Sequence, residues 1–112
     1  MGVSRREMIV YGVKLTYEEY DKAGGYEKFE EYHYNKKKEG VAIVSDGMNG
    51  EYAIVGVFLF IGGDHRFDDD TGIPIMELKQ PDSIVKEVIQ DFVKERFEIT
   101  REAKLYALSH YY

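Results

Sequence analysis

The sequence predicts an α+β fold: a mostly antiparallel sheet of about five strands, in the order β-α-α-β-β-β-α-β, with one long amphipathic helix and two short ones. Three stretches carry this prediction. Val41 to Gly63 holds two apolar, β-branched runs around Asp46-Gly47 and Asn49-Gly50, pairs that readily supply the positive φ angles of a hairpin turn. Ile84 to Phe97 repeats apolar residues at helical spacing, and Lys104 to Tyr112 alternates as a strand does.

Taken in order, Met1 to Arg6 is polar and is expected to fray. Glu7 to Leu15, with Met8, Ile9, Val10, Tyr11, Val13 and Leu15, reads as the first strand; Gly12 inside it marks a bulge or a close backbone contact. Thr16 and Glu19 form a capping box for a short helix ending near Lys22, and Ala23-Gly24-Gly25 stops it. Tyr26 to Lys37 is read as the second short helix. Tyr26, Phe29, Tyr32 and His33 lie near one face, and the Lys36 to Lys38 run sits at the end favoured by the helix dipole.

The hairpin follows. Its second strand is apolar on both faces, with Tyr52, Ile54, Phe58 and Phe60 on one and Ala53, Val55, Val57, Leu59 and Ile61 on the other, so both need cover. Asp64 to Gly72 is a polar, acidic loop. Ile73 to Lys79 is read as a short edge strand. Asp82 or Ser83 caps the long helix, whose apolar stripe contains Ile84, Val85, Val88, Ile89, Phe92, Val93 and Phe97. That helix should cover one face of the sheet. The two short helices, or a second copy of the chain in a homodimer, would cover the other.

A chain of 112 residues, 44% hydrophobic and 32% charged, is read as one domain spanning residues 1–112. It contains no cysteine, which removes disulfides and thiolate chemistry and fits a reducing cytoplasm. No secretion signal or membrane-length apolar run is visible, so a cytoplasmic protein without a membrane partner is expected. The net charge of −6 argues against a nucleic-acid partner, because the single basic run is flanked by Glu30, Glu31 and Glu39. Ten tyrosines supply side chains with an apolar body and a polar tip, the type that protein interfaces favour.

The catalytic motifs in the chain are incomplete. Asp70-Thr71-Gly72 spells the aspartic-protease triplet, but it follows Asp68 and Asp69 rather than an apolar strand, and those charges would compete for the shared proton. Asp64, His65, Asp68, Asp69 and Asp70 could supply hard ligands to a cation. Counted from Asp68, however, Lys79 falls where an EF-hand places its bidentate glutamate, and counted from Asp64, Asp69 occupies the glycine position. His33, His65 and His110 lack metal-ligand spacing. No catalytic residue, metal or cofactor is therefore expected.

Tyr11 to Glu19 (Y-G-V-K-L-T-Y-E-E) and Asp46 to Tyr52 (D-G-M-N-G-E-Y) resemble stretches of short uncharacterised proteins of tailed bacteriophages. The resemblance implies an accessory role in the host cytoplasm, as a protein that binds or inhibits a host enzyme or defence protein. The expectation is a non-enzymatic, acidic protein-binding module. Its contact residues would be Asp64, His65, Arg66, Phe67, Asp68, Asp69 and Asp70 on the acidic loop, Asp46, Met48 and Asn49 on the hairpin turn, and Tyr111 and Tyr112 at the C-terminus. A small-ligand binder for a nucleotide or metabolite and a metal-dependent hydrolase are the alternatives.

Overall fold

The computed structural model describes residues 4–34, 36, 40–62, 65–66 and 75–112. Its centre is β1 (Ser4–Leu15), which begins earlier than the sequence predicts because Ser4, Arg5 and Arg6 all have partners on neighbouring strands. β3 (Ala53–Ile61) lies antiparallel along one edge of β1, with β2 (Ala42–Ser45) outside it. β5 (Lys104–Tyr111) lies antiparallel along the other edge. β4 (His65–Arg66) pairs with Ser4 and Arg5 on the edge of β1 that β3 occupies, so it continues the row of β3 after a short interruption. The rows therefore run β2, β3 with β4, β1, β5: one antiparallel sheet in an α+β fold.

Three helices pack on one face. The capping box of α1 (Tyr17–Lys22) forms as expected: Glu19 N–H donates to Thr16 Oγ1 and Thr16 N–H to Glu19 Oε1. Arg101 adds a bidentate pair to the Glu19 carboxylate at 2.9 and 3.1 Å and donates to the Lys14 carbonyl, tying α1 to the chain that leads into β5. The guanidinium and the cap hold the Glu19 pKa down at about 2.

The second short helix is truncated relative to expectation. α2 (Gly25–Phe29) passes into one 3-10 turn at Glu30–Tyr32, and regular helix ends before His33. The physical reason lies in tertiary pairing: His33 bridges to Ile43 and Tyr34 N–H donates to the Ile43 carbonyl, drawing the chain onto the edge of β2. α3 (Ser83–Phe97) is capped by Asp82, which accepts from the Ile84 and Val85 amides. Of its predicted stripe, Ile89, Phe92, Val93 and Phe97 are buried, whereas Ile84 and Val88 stay exposed at 68% and 49%. They sit on the flank of the helix, turned away from the sheet.

Aromatic rings join these helices: Phe29 stacks on Phe97 at 4.7 Å and Tyr32 meets Phe92 edge-on at 5.0 Å. Tyr20, Phe29, Tyr32, Ile89, Phe92, Val93 and Phe97 form one core with Tyr11, Val13, Leu15, Ile43 and Val55 from the sheet. The short helices thus share the face covered by α3 and leave the opposite face to another solution. The Tyr11 hydroxyl in this core is buried without a hydrogen-bond partner among the described residues. An unsatisfied buried hydroxyl costs about 1–3 kcal/mol, so Tyr11→Phe is expected to raise stability by about 1 kcal/mol. Chemical denaturation measures it; a loss of stability would mean the hydroxyl is paired.

The second face holds Met8, Val10, Ala42, Val44 and Ile54, with Tyr34 buried among them and Tyr52, Phe58, Ile61, Tyr106 and Leu108 packed around them. A bulge between Ile9 and Val10 in the β1–β3 register reverses the expected alternation at the end of β3. Ile61 therefore joins the Phe58 face and Phe60 changes sides. The expected strand at Ile73–Lys79 is also corrected: residues 75–80 have no regular structure and are exposed, with Ile75, Met76 and Leu78 open to solvent, while Ile73 and Pro74 lie outside the described residues. Among the described residues no strand lies beside this stretch, and alternation alone cannot supply the backbone partners that a strand needs.

Candidate functional site

The second face owes its shape to two glycines. Gly12 and Gly56 are paired across β1 and β3 and both belong to that face. A Cβ on Gly12 would press into the Val55 carbonyl, and one on Gly56 into the Tyr11 carbonyl. The backbones approach more closely there than any side chain permits, and the sheet can bend over the gap.

A hydrogen bond records the bend. Tyr52 adjoins the Ala53–Leu15 pair at one end of β1, and His110 pairs with Arg6 at the other. In a flat sheet these positions would be roughly 30 Å apart. Yet Tyr52 Oη and His110 Nδ1 are hydrogen-bonded at 2.9 Å. The sheet therefore curls with this face concave, and the Tyr52–His110 pair closes it like a clasp.

Around the clasp is a group of rings. His110 meets Tyr34 edge-on at 5.7 Å and stacks on Tyr112 at 5.7 Å. The Arg6 guanidinium lies 5.9 Å from the Tyr34 ring centre and 5.7 Å from that of Tyr112, and its Nε donates to the Tyr112 hydroxyl. His110 is 4% exposed. Burial, with smaller contributions from His33 and Arg6 and against an opposing pull from Asp46, lowers its pKa to about 4. Burial also raises the pKa of the Tyr52 hydroxyl, reinforced by Asp46 and Glu51, so it stays protonated. At neutral pH the clasp is an uncharged pair.

The expected contact residues separate into distinct groups. Asp46 is buried at 4% and turned inward: Oδ1 accepts from the Met48 and Asn49 amides and Oδ2 from Glu51 N–H. It shapes the turn and presents no contact surface, a correction that follows from the competition of a short carboxylate for its own backbone amides. Gly50, at φ 66°, supplies the positive φ angle of this loop. Met48 and Asn49 remain exposed at its tip. His65 and Arg66 form β4, while Asp64, Phe67, Asp68, Asp69 and Asp70 lie outside the described residues. Tyr111 and Tyr112 are exposed at 37% and 41%, beside the clasp and at the end of β5. Arg6, Tyr34, Tyr52 and His110 form the cluster that sequence reasoning did not single out. The alternation in β5 placed Tyr106, Leu108, His110 and Tyr112 together, but nothing local shows that Tyr52 meets them.

Among the described residues β5 is also an open edge of the sheet. On the opposite side, β2 is met at Ile43 by the Tyr34 amide and the His33 bridge and pairs with β3 as far as Gly56, so among the described residues the outer side of β3 from Val57 to Ile61 carries no strand. Among the described residues β5 pairs with β1 alone. Ser4 and Tyr112 exchange both backbone hydrogen bonds at 3.0 Å. Antiparallel alternation then directs the backbone groups of Lys104, Tyr106, Leu108 and His110 to β1 and those of Leu105, Ala107, Ser109 and Tyr111 outward. These four outward residues are also exposed on the helix-bearing face. Among the described residues Ser109 is engaged there, donating to the Glu7 carboxylate, which Arg5 pairs at 2.8 Å.

Comparison with protein-family models, curated proteins and solved structures finds no match. Among the described residues, no group of three or more histidine and carboxylate side chains is placed to hold a metal ion, and no helix is long and apolar enough to cross a membrane.

Proposed function

We propose that the protein is a non-enzymatic, acidic protein-binding module whose contact surface is the outward side of β5, flanked by Tyr111 and Tyr112. The observation that carries this reading is the coincidence, on one strand, of unpaired backbone donors and acceptors with the exposed side chains of Leu105, Ala107 and Tyr111. A row of unpaired amides and carbonyls is a template for an added strand, and a tyrosine and a leucine beside it supply the apolar anchor. The resemblance to small phage proteins extends the proposal to a host enzyme or defence protein as the partner that is bound or inhibited.

The clefts favour this over a small-ligand role. One of about 560 Å³ lies between α1 and the C-terminal end of α3, lined by Glu19, Lys22, Lys28, Arg96 and Glu98. It is open to solvent and carries charges of both signs, unlike the mostly apolar enclosure that holds a metabolite. Capture from host extract, read by mass spectrometry, tests the proposal. Proteins retained by the native chain should be reduced about tenfold on an Ala107→Lys variant of unchanged circular dichroism, since a charge on the apolar strip costs on the order of 1.4 kcal/mol or more. An identical captured set on the two chains would remove β5 from the reading.

A further inference from the structure

Resting on that reading of β5, we infer that the first occupant of the open edge is a second copy of this chain, joined antiparallel about a two-fold axis through Leu108. The strand is suited to itself. It lacks the devices that protect a free edge: β5 contains no proline, its register against β1 is continuous from Gly12↔Lys104 to Arg5↔Tyr111, and its one charge, Lys104, stands at the end.

The register follows from which backbone groups are free. Paired residues of an antiparallel ladder share a face, and outward groups must meet outward groups. An axis through Leu108 places Leu105 opposite the second copy's Tyr111 and Ala107 opposite its Ser109. Every outward amide and carbonyl of the strand then has a partner. An axis through Ala107 would pair Leu105 with Ser109 and would leave the groups of Tyr111 facing Ala103, beyond the strand. It would also set Lys104 against the buried His110. The Leu108 register instead puts leucine against tyrosine, an aliphatic and aromatic pair of the kind that stabilises neighbouring strands. The two Lys104 ammonium groups lie at opposite ends of the ladder, so the uncharged strip makes no like-charge contact.

The consequence is a doubled sheet. With the backbone edge taken by the second copy, a host protein would meet the helix-bearing face, where Leu105, Ala107 and Tyr111 from both copies stand side by side, a wider platform than one chain presents.

Because the chain has no cysteine, single-cysteine variants give an unambiguous test. Native protein should sediment as a monomer–dimer equilibrium in the micromolar range, and Leu105→Asp, at an exposed position, should weaken association at least tenfold without altering the monomer's circular dichroism. Under oxidised glutathione, a mixture of Ala107→Cys and Ser109→Cys chains should form the mixed disulfide faster than either forms its own. Preferential self-linking of Ala107→Cys would overturn the Leu108 axis. A native chain that remains monomeric at every concentration would overturn the dimer; if Ala107→Lys then still abolished capture of a host protein, the protein-binding reading would stand without it. A dimer that forms as described while capture is indifferent to Ala107→Lys would have the reverse meaning.

Discussion

Acidification from pH 6.5 to pH 4 should cost the fold about 3 kcal/mol through His110 alone. Its pKa is lowered in the folded chain to about 4 from an ordinary 6.5. Between these two values the unfolded chain holds more bound proton than the folded chain, so the stabilising contribution is complete above pH 6.5 and is lost as pH falls toward 4. The cause is desolvation: a charged imidazole would sit 4% exposed among Tyr34, Tyr52 and Tyr112, with the Arg6 guanidinium nearby. Glu19 adds its own loss only below its ordinary value of 4.5, as pH approaches about 2. The measurement is urea unfolding across this range on the native chain and on His110→Gln, which can still hydrogen-bond Tyr52 but cannot be charged. The difference between the two slopes isolates His110 from the other titrating groups. Parallel slopes would mean that the imidazole is solvated in the folded state.

The second large effect is expected at Gly12. Gly12→Ala should destabilise by about 3 kcal/mol, at the upper end of what overpacking costs, because its methyl group would meet the Val55 carbonyl and the Gly56 backbone rather than a side chain able to move. Gly56→Ala should behave alike, its new Cβ meeting the Tyr11 carbonyl and Gly12. Gly47→Ala is the control. A Cβ there meets nothing within 4 Å and the backbone is not in the left-handed region, so its effect should stay within about 0.5 kcal/mol. Comparable losses at Gly12 and Gly47 would show that the close strand approach is absent in solution. Since the bend over Gly12 and Gly56 brings Tyr52 to His110, the Gly12 variant should also lose part of the pH dependence described above.

Local chemistry was readable wherever a few neighbouring residues suffice. Thr16 and Glu19 cap α1, Asp82 caps α3, and the two apolar runs around Asp46 to Gly50 pair as β2 and β3. Each depends on contacts close in sequence. The misreadings share a different origin. Ile73 to Lys79 had the alternation of a strand, but pairing needs a partner that no pattern within it can provide. Tyr26 to Lys37 had helical spacing, yet helix ends before His33 because Ile43 competes for the backbone. Phe60 and Ile61 changed faces through one bulge. Asp46, expected at the contact surface, spends its carboxylate on its own turn.

The sequence by itself determined the α+β class, the antiparallel hairpin, the two capped helix starts and the need to cover both faces of β3, because propensity, capping and hydrophobic period act over a few residues. Only the tertiary structure decided that α1, α2 and α3 share one face, that the other curls closed through Tyr52 and His110, and that β5 is left as an open edge among the described residues. Those outcomes depend on the order of strands and on the curvature set where Gly12 meets Gly56, contacts between residues far apart in the chain that no local pattern encodes.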